Sequence, residues 1–201
     1  MAETALLVVD VQNDFCPGGA LPVPFGDRVV PVMNTYISLC QEAGMPVLAS
    51  RDWHPPKTRH FQPYGGAWPV HCVQGTWGAQ FHPDLRLPPT AITISKGMDP
   101  EQEGYTAFDG VDPEGRPLLS LLRSLGVKRL LVGGLATDYC VRHSALDALR
   151  HGLSVWLLAD ASRGVDLRPG DADKALAEVR AQGGKIATLA EVMAALGRGE
   201  I

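Results

Sequence analysis

The chain has 201 residues, 45% hydrophobic and 20% charged, with a net charge of −4. These values fit a globular protein with a sizeable core, and the mild negative charge argues against nucleic acid or an anionic membrane as partner. No apolar run approaches the roughly 20 residues of a membrane-spanning helix. The start, Met1-Ala2-Glu3-Thr4, lacks the basic region of a signal peptide. Cysteines at 16, 40, 72 and 140 form no CxxC pair, which predicts a reduced, cytoplasmic protein.

In chain order, a first apolar run at 5–9 ends at Asp10, and a helical pattern over 29–43 stops at Gly44. A second run at 46–50 is followed by Asp52 and His54. Residues 52–90 then break the rhythm with many Pro, Gly, His and Trp, and an insertion of that length in a compact domain is usually functional. The third run, 91–95, ends at Lys96; a helical pattern over 118–125 stops at Gly126. The fourth run, 129–132, leads through Gly133 and Gly134 into a helical pattern over 138–150, with Gly152 beyond it. A fifth run at 154–158 and helical patterns at 172–182 and 189–196 complete the chain. The runs lack in/out alternation, so they read as buried parallel strands, and the glycines sit where helix C-caps belong. The prediction is one α/β domain over 1–201. It has three α/β/α layers around a mostly parallel, doubly wound, Rossmann-like sheet, with an insertion at about 52–90.

Open α/β sheets bind ligands beyond the carboxyl ends of their strands. Asp10, Asp52, His54, Lys96 and Cys140 all fall at those ends. Cys140 lies in Gly133-Gly134-Leu135-Ala136-Thr137-Asp138-Tyr139-Cys140-Val141. With Thr137 or Asp138 as cap, it occupies the first turn of a helix, where free N–H groups and the dipole favour a thiolate. That predicts a lowered thiol pKa, a nucleophile, and an oxyanion held by the same N–H groups. The plain alternative is a buried structural cysteine. Asp10 can take the thiol's proton and return it to a leaving amine, and the Lys96 ammonium can stabilise the anions between them. His143 lies one helical turn beyond Cys140, but its ring could equally cover the helix surface.

A second group is Asp52-x-His54-x5-His60, with His71 further on. One carboxylate with two or three imidazoles suits zinc, iron or manganese. His82 and His151 read as ordinary polar histidines. HExxH, GxGxxG and GxxxxGK[ST] are all absent, which removes the commonest metalloprotease, dinucleotide and P-loop readings.

Taken together, the chain resembles the nicotinamidases of the isochorismatase-like cysteine hydrolase superfamily, nearly end to end. The resemblance rests on Val9-Asp10-Val11-Gln12-Asn13-Asp14-Phe15-Cys16 with Gly18-Gly19, and on Arg51-Asp52-Trp53-His54. It continues through Trp68-Pro69-Val70-His71-Cys72-Val73-Gln74-Gly75-Thr76, Ile94-Ser95-Lys96-Gly97 and the Cys140 segment. It implies a catalytic triad of Asp10, Lys96 and Cys140, and a cis Leu135–Ala136 peptide aiming the Ala136 and Cys140 N–H groups at the oxyanion. It implies one divalent transition metal on Asp52, His54 and His71, with His60 at a variable fourth position, binding the substrate's pyridine nitrogen. Phe15, Trp68 and Tyr105 match aromatic positions that sandwich the ring, although Phe15 and Trp68 could simply be core. The loop Glu103-Gly104-Tyr105-Thr106 departs from the serine-containing loop of relatives, which leaves the role of Tyr105 open. The implied reaction converts nicotinamide to nicotinate and ammonia through a cysteine thioester, in NAD salvage. Pyrazinamide is a candidate second substrate, and a homo-oligomer stays open. The alternatives are another superfamily amidohydrolase acting on a carbamoyl or ureido amide, a zinc hydrolase with an incidental Cys140, and a non-enzymatic redox sensor.

Overall fold

The computed structural model describes residues 3–201. Met1 and Ala2, with which the reading of the N-terminus began, lie outside the described residues. Six strands form one parallel sheet: β1 (Thr4–Val9), β2 (Val47–Asp52), β3 (Ile92–Lys96), β4 (Arg129–Leu135), β5 (Ser154–Arg163) and β6 (Lys185–Ala187). Their order is β3-β2-β1-β4-β5-β6, with every neighbouring pair parallel. The helices are α1 (Val29–Glu42), α2 (Leu118–Ser124), α3 (Arg142–Arg150), α4 (Asp171–Ala181) and α5 (Leu189–Gly197).

Both faces of the sheet are covered, which is why its strands read as continuous apolar runs. In β1, Leu6 and Val8 join the core formed with α1 and α5, through Met33, Ile37 and Val192. Ala5, Leu7 and Val9 join the opposite core, formed with Leu118 and Leu122 of α2, Ala145 of α3 and Val179 of α4. The chain winds outward from β1 to β3, then returns to β4 on the other side of β1. The switch point lies between the carboxyl ends of β1 and β4, where an open sheet leaves its crevice. Asp10 and Ala136 are the residues directly beyond those two ends.

Four local departures from the sequence expectation matter. The fourth strand continues through Gly133 and Gly134 to Leu135. Gly134 has φ 131°, and a Cβ there would lie 2.0 Å from the Val9 carbonyl oxygen, so close approach to β1 requires a glycine. Cys140 sits in a separate wide turn of π type, Thr137–Val141, ahead of α3, rather than in the helix itself. The expected cap also fails. The residue before the turn is Ala136, and the Asp138 carboxylate instead accepts from the N–H groups of Val165 (2.9 Å) and Asp166 (2.8 Å). Finally, β6 has only three residues, too few for a periodic signal.

The insertion is stitched to the sheet by residues just after β1. Gln12, fully buried, donates to the Asp52 and Ala79 carbonyls and accepts from the Asp52 N–H. The Asp14 carboxylate accepts from the Ala20 and Cys72 N–H groups. These bonds satisfy loop backbone that lies in the interior. Among the described residues no helix is long and apolar enough to cross a membrane.

Candidate active site

Lys96 ends β3 and its side chain is fully buried. Its ammonium lies 2.8 Å from Asp10 Oδ2, 2.5 Å from Asp52 Oδ1 and 3.4 Å from Cys140 Sγ, and it donates to the Gly104 carbonyl at 3.0 Å. Parallel pairing produces part of this convergence, since Asp52 and Lys96 are register partners at the ends of β2 and β3. Asp10 adopts a left-handed φ of 49° immediately after β1, which turns the chain at the sheet edge. The acid, the amine and the thiol expected to work together are thus brought together from the carboxyl ends of β1, β3 and β4.

Their ionisation follows from burial opposed by charge. Burial works against the Lys96 charge, but Asp10 and Asp52 raise its pKa well above the ordinary lysine range. Burial pushes Asp10 above the usual carboxylate range, against the pull of Lys96. Burial resists a charge on Asp52 as well, yet Lys96, His54 and His71 hold its carboxyl well below that range. The thiol corrects the sequence expectation. Burial pushes Cys140 well above the ordinary thiol range, Asp10 and Asp52 add to this, and Lys96 only partly opposes it. A thiol beside two carboxylates and sheltered from water keeps its proton until an acceptor takes it.

His54, His60 and His71 are buried and bring ring nitrogens within 4.8 Å of one another, a group that could hold a metal ion. Nδ1 of His54 lies 2.9 Å from the Gly97 carbonyl, and Nδ1 of His71 lies 2.7 Å from that of Pro69. A carbonyl only accepts, so Nδ1 carries the proton in both rings and Nε2 presents a lone pair. Both Nε2 atoms face Asp52 Oδ2, at 3.5 and 3.9 Å. His54 Nε2 is buried with no hydrogen-bond partner among the described residues, a costly state that a cation would relieve. Burial, with His54 and His71 nearby, pushes His60 down to about 3, so its ring is neutral as a ligand must be. The donor set therefore fits a divalent transition metal. Gly97 is part of this geometry: its φ is +67°, and a Cβ would lie 2.5 Å from the His54 ring.

A small, partly open cavity joins the two groups. Asp52, His60 and His71 line one part of it, and Ala136 and Cys140 another. Phe15, Trp68 and Tyr105 form aromatic walls, so Phe15 and Trp68 serve the cavity rather than the core alone. Asp10, Lys96 and His54 stand behind this lining, each with no exposed surface. The narrow gap between these aromatic walls favours a small, flat molecule. The Tyr105 hydroxyl accepts from the Trp68 indole at 2.8 Å, and its ring stacks on His143 with centroids 5.2 Å apart. His143 thus supports a wall of the cavity. The Leu135–Ala136 peptide is cis.

The isochorismatase domain family matches residues 4–191. The chain belongs to the isochorismatase family. A nicotinamidase of Escherichia coli is 42% identical over 95% of this chain and 97% of its own length. A nicotinamidase/pyrazinamidase of Mycobacterium tuberculosis is also 42% identical, over 80% of this chain and 87% of its own. Among solved structures, a pyrazinamidase of Pyrococcus horikoshii in complex with zinc superposes with a TM-score of 0.86. It is 48% identical, covering 94% of this chain and all of that one.

Within this isochorismatase-family site, several contributors are not marked by the sequence. Tyr139 lines the cavity and packs edge-on to Trp68 at 4.9 Å. Leu21 and Val23 add an apolar wall from the segment between β1 and α1. Asp52 was read as a metal ligand only, yet one of its oxygens faces the histidines and the other faces Lys96. Tyr139 adjoins Cys140 in sequence, a signal that marks it as a neighbour of the thiol; nothing in the sequence marks the second contact of Asp52.

Proposed function

We propose that the protein is a nicotinamidase, an amidohydrolase converting nicotinamide and water to nicotinate and ammonia. One observation carries this: a single small cavity has a thiol beside Asp10 and Lys96 on one side and a histidine cluster on the other, with aromatic walls between. A planar pyridine carboxamide matches both ends at once. The naming of the relatives supports the same substrate, with pyrazinamide as a second. A carbamoyl or ureido amide offers nothing to the histidine end. The single-domain organisation, cytoplasmic location and place in NAD salvage belong to the same reading, and four buried unpaired thiols fit a reducing compartment.

In this mechanism Asp10 takes the Cys140 proton as sulfur attacks the carboxamide carbon. The Ala136 and Cys140 N–H groups receive the tetrahedral oxyanion. Asp10 passes the proton to the departing amine, and ammonia leaves a thioester on Cys140. A water molecule then gives a proton to Asp10 and attacks the thioester carbon; as the carbonyl re-forms, Asp10 returns that proton to the departing sulfur, and nicotinic acid leaves and ionises to nicotinate. Lys96 stays charged throughout and holds the Asp10 carboxylate against the sulfur. Asp52, His54 and His71, with His60 as a further ligand, would hold one divalent metal (zinc, iron or manganese), which supplies a Lewis acid for the ring nitrogen. Phe15, Trp68 and Tyr105 hold the ring plane, so that the carboxamide meets sulfur in one orientation. The test is ammonia release from nicotinamide against a panel of carbamoyl and ureido amides. Preference for the latter overturns the assignment.

A further inference from the structure

Ser50 is an exception in a strand that otherwise begins Val47-Leu48-Ala49, and it has no exposed surface. A hydroxyl in that position loses its hydration, so a partner must replace water. The partner is Asp10. Ser50 Oγ donates to Asp10 Oδ1 at 2.7 Å, and the Asp10 N–H donates to the Ser50 carbonyl at 3.1 Å. One residue therefore grips both the backbone and the carboxylate of Asp10, just where the chain turns through its left-handed φ of 49°.

The two oxygens of Asp10 are consequently different. Oδ1 is occupied by the hydroxyl. Oδ2 lies 2.8 Å from the Lys96 ammonium, yet among the described residues it accepts no well-directed hydrogen bond. The ammonium stabilises its charge without filling the lone pair that a proton would use. An oxygen of Asp10 and the Cys140 sulfur lie within 4.8 Å of each other. We propose that Ser50 is a positioning residue that locks the Asp10 carboxylate so that Oδ2 alone receives the Cys140 proton. This rests on the reading of Asp10 as the proton acceptor. Without the hydroxyl, Oδ1 is left buried and unpaired, and the carboxylate gains freedom to rotate away from the sulfur.

The test uses Ser50→Ala and Ser50→Thr in the metal-loaded protein. Misplacement of a reacting group by about 1 Å can cost up to about 100-fold, so Ser50→Ala should lower kcat for nicotinamide by about 10- to 100-fold, with KM within about twofold. Ser50→Thr, which keeps the hydroxyl, should recover most of the loss. Iodoacetamide alkylation of Cys140, followed by mass spectrometry without substrate, should slow in Ser50→Ala by a similar factor. Metal content should match the wild type, and the variant should stay folded at the assay temperature although its Tm falls, since Oδ1 loses its partner. Wild-type alkylation and kcat in Ser50→Ala overturn the proposal, as does a loss that comes with lost metal, because the effect would then pass through Asp52. Because alkylation needs no amide, it decides the role of Ser50 even if nicotinamide is not the substrate.

Discussion

Lys96 Nζ lies closer to Asp52, at 2.5 Å, than to Asp10, at 2.8 Å. One ammonium therefore neutralises a carboxylate in each half of the site. If Lys96 is removed, two buried carboxylates face each other with no cation between them, and at least one must take up a proton. Asp10 is the one already pushed upward by burial, and a protonated Asp10 cannot accept from Cys140. Asp10→Asn and Lys96→Ala should each lower kcat by about 100-fold or more, the usual scale for acid–base groups. Because both disable the same proton transfer, the double mutant should be little worse than either single one. Multiplying losses in steady-state assays would show two independent contributions instead.

In the proposed mechanism Cys140 carries the covalent step, so Cys140→Ala should abolish turnover while the fold persists. The thiol contributes little packing that alanine cannot replace at a site lining a cavity. Retention of more than about a tenth of the wild-type rate, measured by ammonia release, would be too much for loss of the nucleophile.

The order of strands and helices was legible because both sheet faces are covered and the runs are continuously apolar. Asp10, Lys96 and Cys140 were legible because strand ends in this fold face one crevice. The thiol's ionisation was not. The helix-end expectation considered only the backbone, whereas Cys140 lies in a wide turn, walled from water beside two carboxylates contributed by distant residues. The roles of Asp138 and Ser50 were hidden for the same reason. Their partners, Val165 and Asp166 for one and Asp10 for the other, are far along the chain.

Gly97 should resist even alanine. Its φ of +67° disfavours any side chain, and a Cβ would press on His54 at 2.5 Å. The displaced ring would lose its Nδ1 bond to the Gly97 carbonyl and the aim of Nε2. Gly97→Ala should therefore bind metal at least about tenfold more weakly and melt below the wild type. Unchanged metal affinity by competition with a chromogenic chelator would contradict this.

Stability should decline at alkaline pH through the buried thiols. Burial pushes Cys40 up to about 12, burial with the Asp27 charge pushes Cys16 to about 11, and burial raises Cys72 well above the ordinary range. A thiol whose pKa is raised on folding binds its proton more tightly in the folded state. Its contribution is intact below the unfolded value of about 8.5 and shrinks as pH rises toward the folded one. Each such group costs up to about 1.4 kcal/mol per pH unit within that window. The urea midpoint should fall between pH 8 and 10.5, and Cys40→Ala should fall less steeply although it starts lower. Parallel curves would remove Cys40 from the account.

The metal's part in substrate binding is the remaining prediction. In the proposed mechanism Cys140 already supplies the nucleophile, so a metal-bound hydroxide has no necessary role. A pyridine nitrogen is a borderline donor that suits an imidazole-rich centre. His60 and His71 line the same cavity as the thiol, with His54 directly behind them, so a ring anchored there presents its carboxamide to sulfur. Orientation of that kind can contribute several kcal/mol to the barrier. His54→Ala and His71→Ala should abolish stoichiometric metal, read by elemental analysis, and raise the Kd for nicotinamide by about tenfold or more, the scale of losing one good polar anchor. Benzamide, which lacks the ring nitrogen, should be a poor substrate of the wild type. Chelated protein should lose nicotinamide binding while Cys140 remains reactive toward iodoacetamide. Full nicotinamide turnover by metal-free protein, or equal turnover of benzamide, would show that the histidine cluster does not hold the substrate.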